Sequence, residues 1–330
     1  MTQRTLRFLS ASDVAQALPM REAVEAMKEA FRQLSAGQAV VPPRTHLETR
    51  EPQGDALFMP SYLPAARRIG LKVVTLFGGN AALGLPRIQG LMLVLDAATG
   101  SPLAVMDGAS LTAIRTGAAS GAATDILARP DASLAAIFGA GPQAQTQLEA
   151  IVAVRPVRRA RVFDANADRA AAFAREMASR LGIPVEATAS ASAALAGADV
   201  VCTATTSSVP VFADADLAPG VHINAVGSYK PTVREIPGET VRRALVVVDH
   251  RPAAMAEAGD LLIPMEEGLL ARGAAFAELG EIIGGSKRGR ESADQVTLFK
   301  SVGVAVQDLA AADRVLANAA RLNLGTEICL

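Results

Sequence analysis

The run Ala135-Ala136-Ile137-Phe138 leads into Gly139-Ala140-Gly141-Pro142-Gln143-Ala144, and a helix-compatible stretch, Gln145 to Val154, follows. A turn with this spacing can hold a diphosphate. Gly139 permits the sharp exit from a strand, Gly141 lets the backbone approach the ligand, and small Ala144 lets the helix pack close to the sheet. The first N–H groups of such a helix have no partners in the helix and point at an anion. A second apolar strand ends in Asp164, 25 positions after Gly139. A carboxylate there accepts hydrogen bonds from ribose hydroxyls and repels a 2′-phosphate. The expected cofactor is NAD(H). NADP(H) remains possible because Arg169 lies close by.

The elements around this turn must form a sheet that positions it. From Ser133 onward strand and helix alternate, with strands expected at 133–138, 160–164, 198–203, 221–226 and 245–249. That pattern predicts a parallel sheet covered on both faces, a Rossmann dinucleotide-binding domain. Thr203, Ala204 and Thr205 end one strand, and Ala225, Val226 and Gly227 end the next. Both loops are placed to contact the nicotinamide half of the cofactor, and Ser301 is expected to approach the same ring. Before this region the chain reads differently. Residues 12–37 read as one helix capped by Ser12 or Asp13, with Val24, Met27, Phe31 and Leu34 at helical spacing. Leu57 to Val105 reads as short antiparallel strands, with a hairpin turn at Ala97–Gly100. Leu111 to Leu127 and Val302 to Ala320 read as helices, and Gly284 to Arg290 as an exposed loop. The fold class is therefore α/β, a Rossmann NAD(P)-binding domain plus a smaller α+β domain. The expected boundaries are 1–117 with 304–330 for the smaller, discontinuous domain and 118–303 for the Rossmann domain.

Composition narrows the class. The 330 residues carry a formal net charge of −1, with no long block of one sign, which argues against nucleic acid or an anionic membrane as partner. Two cysteines, Cys202 and Cys329, and three histidines offer no metal-ligand spacing, so no metal is expected. Met1 to Leu6 shows no apolar leader segment, and no run of about 18 apolar residues is present. A cytoplasmic protein is expected.

Several separated motifs resemble the ornithine cyclodeaminase/mu-crystallin family. They include Arg44 after Pro42-Pro43, Phe58-Met59-Pro60-Ser61-Tyr62, and Lys72 in Gly-Leu-Lys-Val-Val-Thr. They continue with Gly84-Leu85-Pro86, Asp96, Thr99-Gly100, Asp107-Gly108 and Leu111-Thr112-Ala113-Ile114-Arg115-Thr116. His222 to Ser228 and Leu298 to Gly303 complete the set. The resemblance covers roughly residues 5–320. It implies a homodimer whose smaller domain binds substrate and dimerises, and a small α-imino or α-amino acid as substrate. It implies that Arg44, Lys72 and Arg115 hold the substrate carboxylate, and Thr116 joins the cofactor-binding residues. Guanidinium groups suit that task because they bind carboxylates in a fixed planar fork. Lys72, set in an apolar strand near two arginines, is the expected catalytic acid or base.

One departure bears on the reaction. Cyclodeaminases and the related alanine dehydrogenases carry an Asp two residues before the Pro that follows Asn-Ala-Val-Gly. Here that position is Tyr229, followed by Lys230 and Pro231. Oxidising an ammonium group needs a base at that place, whereas a protonated cyclic ketimine takes hydride directly. The expected activity is therefore reduction of Δ1-pyrroline-2-carboxylate or Δ1-piperideine-2-carboxylate to the L-amino acid. The alternatives are an ornithine cyclodeaminase, another amino-acid dehydrogenase, and a non-enzymatic small-ligand binder. Asp96 and Asp107 read as turn residues.

Overall fold

Strand Leu134–Phe138 is buried at every position, and its side chains alternate between two cores. Leu134, Ala136 and Phe138 join one apolar cluster with Val201, Ile223, Val248 and Leu298. Ala135 and Ile137 join another with Ala160, Val162, Val200 and Cys202. A strand covered on both faces has no polar side to show, which explains the uninterrupted apolar run. The structure is a computed structural model and describes residues 5–330. The reading of the N-terminal residues Met1–Arg4 lies outside the described residues.

Leu134–Phe138 belongs to an eight-stranded sheet. The strand order is Ala277–Glu278, Leu245–Val248, Thr297–Lys300, His222–Ala225, Val200–Thr203, Leu134–Phe138, Arg159–Phe163, Val185–Ala187. Every pairing is parallel. The chain leaves Leu134–Phe138 in one direction through Arg159–Phe163 to Val185–Ala187. It then returns to the other side at Val200–Thr203. The strand order therefore reverses between Leu134–Phe138 and Val200–Thr203, where doubly wound sheets bind ligands. The expected strands hold to within one or two residues. Thr297–Lys300 and the short edge strands carry too little pattern to stand out in sequence.

The chain divides into two compact units, residues up to Arg115 with Val304–Leu330, and Thr116–Gly303. The first division falls inside helix Gly108–Leu127. The smaller unit holds a seven-stranded sheet, ordered Thr326–Cys329, Thr5–Leu9, Pro102–Asp107, Ile88–Asp96, Arg68–Leu76, Gln53–Leu63, Thr45–Arg50. Its pairings are antiparallel except Thr5–Leu9 with Pro102–Asp107. The last helix, Ala305–Leu322, packs on the central strands of this sheet and on helix Met20–Ser35.

One local reading is corrected. The single helix expected over 12–37 is two, Ala11–Ala17 and Met20–Ser35, separated at Leu18-Pro19. Proline has no N–H to continue the ladder and disfavours helical geometry in the residue before it. The first helix is capped by Ser10, paired reciprocally with Asp13. The segment 284–290 is the expected loop, exposed from Gly284 to Arg288 and partly buried at Gly289 and Arg290. The Arg290 guanidinium donates to Leu127 O and to Thr297 Oγ1, at 2.6 and 3.0 Å, and so ties the segment to the Rossmann sheet.

Candidate functional site

In the smaller unit, Lys72 stands among methionines. On strand Arg68–Leu76 it pairs across to Met59 on one side and Met92 on the other. Lys72 is 2% exposed, and both methionines are buried. A charge removed from water in such surroundings needs a partner. Asp308, fully buried on the last helix, supplies it. Its Oδ2 lies 2.7 Å from Lys72 Nζ, and its Oδ1 accepts Arg115 Nε at 2.9 Å. Arg115 Nη1 donates to Gln307 Oε1 at 2.6 Å. The same oxygen accepts the Val304 N–H at 3.2 Å, so two donors fix which way that amide faces.

Burial pushes the Lys72 ammonium down to about 8. Asp308 resists the fall, and Arg115 and then Arg44 add to it. Arg44 stands just before strand Thr45–Arg50, half-buried. The structure thus gathers the three sequence-predicted cations Arg44, Lys72 and Arg115, with Asp308 between Lys72 and Arg115. Two or three cations facing one small volume suit a carboxylate, and the ammonium can also give or take a proton near neutral pH.

In the Rossmann unit the strand ends meet around the glycine turn. Gly139 has φ +96°, and a Cβ there would lie 2.6 Å from the Ala204 carbonyl oxygen. Only glycine fits. Gly141 caps helix Pro142–Val154 without a side-chain hydrogen bond, and Pro142 opens that helix. Around the place a Cβ of Gly141 would take, only Arg169 Nη2 comes within 4 Å, at 3.8 Å. The turn is open above Gly141, with helix N–H groups behind it, and fits a diphosphate. Gln143 lies in the first turn and Ala144 is buried. Thr116 precedes Gly117, where a Cβ would lie 2.4 Å from the Thr146 carbonyl oxygen. That close approach sets Thr116 beside the helix of the glycine turn.

Asp164 follows strand Arg159–Phe163. Its Oδ2 accepts the Ala140 N–H and its Oδ1 the Asn166 N–H, each at 2.9 Å. Arg169 Nη2 is 3.8 Å from Oδ2. The loops expected at the nicotinamide half are also joined. Val226 and Gly227 donate to Thr203 O at 3.0 and 3.2 Å, and Ser301 donates to Ala225 O at 3.2 Å.

Three buried carboxylates beyond the sequence reading hold these loops. Glu235 accepts Thr203 Oγ1, Thr205 N, Thr205 Oγ1, Gly227 N and Ser228 N. Burial pushes its carboxyl up, while the Thr205 hydroxyl pulls it back. Asp260 accepts the Glu235 and Ile236 N–H groups and pairs with Lys300 at 2.8 Å. Asp249 accepts Ser301 Oγ, Val302 N and Gly303 N at 2.8–2.9 Å. Asp308 alone had a legible signal. It falls in the stripe Ala305, Asp308, Ala312, Val315, Ala319, where the other four positions are apolar. An acid on the buried stripe of a helix is costly without a task. Asp96 and Asp107 accept nearby backbone N–H groups, of Ala98 and Thr99 and of Ser110. Tyr229 is 45% exposed. Among the described residues no cluster of three metal-ligating side chains occurs, and no helix is long and apolar enough to cross a membrane.

Comparison with known proteins places this geometry. A profile of the ornithine cyclodeaminase/mu-crystallin family matches residues 4–322. A Delta(1)-pyrroline-2-carboxylate reductase of Bacillus cereus is 40% identical over 321 residues, 97% of this chain and 98% of that protein. The Delta(1)-pyrroline-2-carboxylate reductase of Thermococcus litoralis, solved with NADH and L-proline, superposes with TM-score 0.92. It is 42% identical, with 98% of this chain and 100% of that one covered. An archaeal alanine dehydrogenase, solved as a dimer with NAD, gives TM-score 0.91 at 36% identity, with 98% and 99% covered.

Proposed function

Because the chain belongs to the ornithine cyclodeaminase/mu-crystallin family, we propose that it is an NAD(H)-dependent reductase of cyclic α-imino acids. Its substrate is Δ1-pyrroline-2-carboxylate or the six-membered Δ1-piperideine-2-carboxylate, and its product the L-amino acid. The observation that carries the reading is the buried Lys72–Asp308–Arg115 group. It offers a fixed guanidinium for a carboxylate and a proton donor for the neighbouring nitrogen.

Reduction adds hydride to the ring carbon C2 and leaves the nitrogen with a proton, so that C=N becomes CH–NH. Bound NADH supplies the hydride. Gly139, Gly141, Pro142, Gln143 and Ala144 hold its diphosphate, and Asp164 its adenosine ribose. Thr116, Thr203–Thr205, Ala225–Gly227 and Ser301 line the nicotinamide half. Arg115 and Arg44 bind the substrate carboxylate and fix C2 in place, and orientation of this kind supplies much of the rate. The charged Lys72 supplies the proton when the imine arrives neutral, and the neutral amine that this leaves takes a proton back when proline is oxidised. The similarity of this chain to Delta(1)-pyrroline-2-carboxylate reductases, one of them solved with NADH and L-proline, supports the choice over deamination.

A homodimer belongs to the same reading. The sheet face turned away from the helices carries Tyr62, Ile69, Leu71, Val73, Leu91, Leu93 and Leu95, none of them buried and Leu91 56% exposed. A second copy of the chain covers such a face economically. Light scattering giving a monomer would count against it. A cytoplasmic location also fits a chain in which Cys202 and Cys329 form no disulfide with each other.

The deciding assay follows NADH consumption with pyrroline-2-carboxylate, alongside ammonia release from ornithine. Imine reduction without ammonia is expected. Ammonia release without imine reduction would overturn the reading in favour of a cyclodeaminase.

A further inference from the structure

We propose that Asp308 is the positioning residue of this site. One oxygen holds the Lys72 ammonium and the other anchors Arg115 through Nε, so a single buried carboxylate sets the direction of both cations. The inference rests on the reading of this group as the imino-acid centre.

The geometry separates what Asp308 holds from what it leaves for substrate. Arg115 gives Nε to Asp308 and Nη1 to Gln307, while Nη2 has no partner among the described residues. The guanidinium is thereby held through two of its three nitrogens, which leaves Nη2 for a substrate carboxylate. Lys72 is 2.7 Å from Asp308 and lies between the methionine rows, with Met59 and Met92 on the neighbouring strands. An ammonium has three donors, and one contact to Asp308 leaves two. Gln307 and Asp308 are consecutive on the first turn of helix Ala305–Leu322, so the two groups that hold Arg115 move as one body.

Asp308 also keeps Lys72 charged. The charged groups bearing on Lys72 are Asp308 from the last helix, Arg115 from helix Gly108–Leu127, and Arg44. Only Asp308 favours the ammonium. Burial and both arginines favour the neutral amine. Without Asp308 the site would hold an uncharged lysine through the neutral pH range and lose its proton donor.

The test is Asp308→Asn, which keeps the shape and removes the charge. An opposite charge at this distance shifts a pKa by about 1–3 units, so the alkaline limb of kcat/KM for imine reduction should move down by at least about one unit. KM for the imino acid should rise on the order of tenfold as Arg115 loses a charge-assisted hydrogen bond. NADH binding, followed by fluorescence titration, should stay unchanged. Asp308→Glu should return the limb towards its wild-type position, since it restores the charge. A variant with lower melting temperature and lower kcat but an unmoved limb would show a purely structural role and overturn the proposal.

A second readout does not use activity. The pH dependence of urea stability between pH 6 and 10 should differ between wild type and Asp308→Asn, and the difference should vanish in a Lys72→Met background. Persistence of the difference there would sever Asp308 from Lys72. Should Asp308→Asn fail to fold, Lys72→Met/Asp308→Asn removes both charges. Its KM should exceed that of Lys72→Met alone, and equal values would overturn the anchoring of Arg115. A wild type that reduces no imine would refute the proposed function, while the stability cycle would still decide whether Asp308 sets the state of Lys72.

Discussion

Asp164 Oδ2 accepts a hydrogen bond from the backbone N–H of Ala140, the residue between the two glycines of the phosphate turn, at 2.9 Å. On the proposed reading, the acid that would meet the ribose also holds the turn that would receive the diphosphate. Its other oxygen accepts Asn166 N at 2.9 Å, and the side chain is 11% exposed. Asp164→Ser should therefore do two things. The preference for NADH over NADPH should narrow, because the charge that repels a 2′-phosphate is gone. Binding of both cofactors should weaken, because the turn loses its tie. Fluorescence titration with each dinucleotide measures both, and an unchanged ratio would place the discrimination elsewhere, Arg169 being the nearest alternative.

Arg115→Lys should lose most activity although the charge is kept. A lysine ammonium is a point charge on a flexible stem, and it cannot satisfy Asp308, Gln307 and a substrate carboxylate in the planar arrangement of Arg115. A loss of kcat/KM on the order of 10²-fold is expected from misplacing a substrate by about 1 Å. NADH affinity should survive, because Arg115 belongs to the smaller unit. Steady-state kinetics that match the wild type would show that the carboxylate is held by other residues.

Lys72 titrates at about 8 because burial and the two arginines outweigh the pull of Asp308. Lysine is charged below its pKa and neutral above it. Reduction of a neutral imine uses the charged form, so it should fall as pH rises through about 8. Oxidation of L-proline uses the neutral form and should rise over the same range. Two pH profiles with opposed limbs near one pH would support a single group serving both directions. Limbs that remain in Lys72→Met would assign the titration to another residue.

The legible part of the fold was the part with periodicity. Gly139, Gly141, Ala144 and Asp164 stand in a fixed order along one strand–turn–helix–strand unit, and local spacing defines them. The loop ends at Thr203–Thr205 and Ala225–Gly227 followed from the strands they terminate. Asp308, Glu235, Asp260 and Asp249 were not legible as a group, because their meaning depends on partners far along the chain. Asp308 meets Arg115 across 193 positions, and Asp249 meets Ser301 across 52. A carboxylate gains its role from what folding brings to it, and no window of sequence contains both ends. Pro19 was legible but lost to the regular spacing of the apolar residues around it.

Gly227 illustrates such a long-range demand. A Cβ there would lie 2.4 and 2.5 Å from the two carboxylate oxygens of Glu235, and 2.5 Å from the Thr205 carbonyl oxygen. Glu235 cannot retreat, because five donors hold it and its own N–H is bound by Asp260. Gly227→Ala should destabilise the protein by roughly 1–3 kcal/mol, the usual cost of overpacking a rigid site. It should weaken NADH binding with it. Urea unfolding and a cofactor titration give both values. A neutral substitution would mean that the loop can yield.

Tyr229 stands where the resemblance to cyclodeaminases implies an Asp, and it is 45% exposed on the loop that follows strand His222–Ala225. Converting ornithine begins by oxidising an α-amino group that arrives as an ammonium, and the proton must leave to a base beside it. Glu235 is the nearest carboxylate along the chain, but it is buried, and Thr203, Thr205, Gly227 and Ser228 occupy it. It is not available for that task. A phenol is a poor replacement for a carboxylate as a base. Lys72 serves the nitrogen in imine reduction, and lack of a second acid–base group beside the α-ammonium costs about 10²–10⁴ in rate. Ornithine turnover should therefore be slow or undetectable in an ammonia-release assay, while NADH-dependent reduction of pyrroline-2-carboxylate proceeds. Tyr229→Asp should raise ammonia release without abolishing imine reduction, since Lys72 and Arg115 stay in place. Fast ornithine deamination by the unmodified chain would show that another group, Lys72 first among them, removes the ammonium proton unaided.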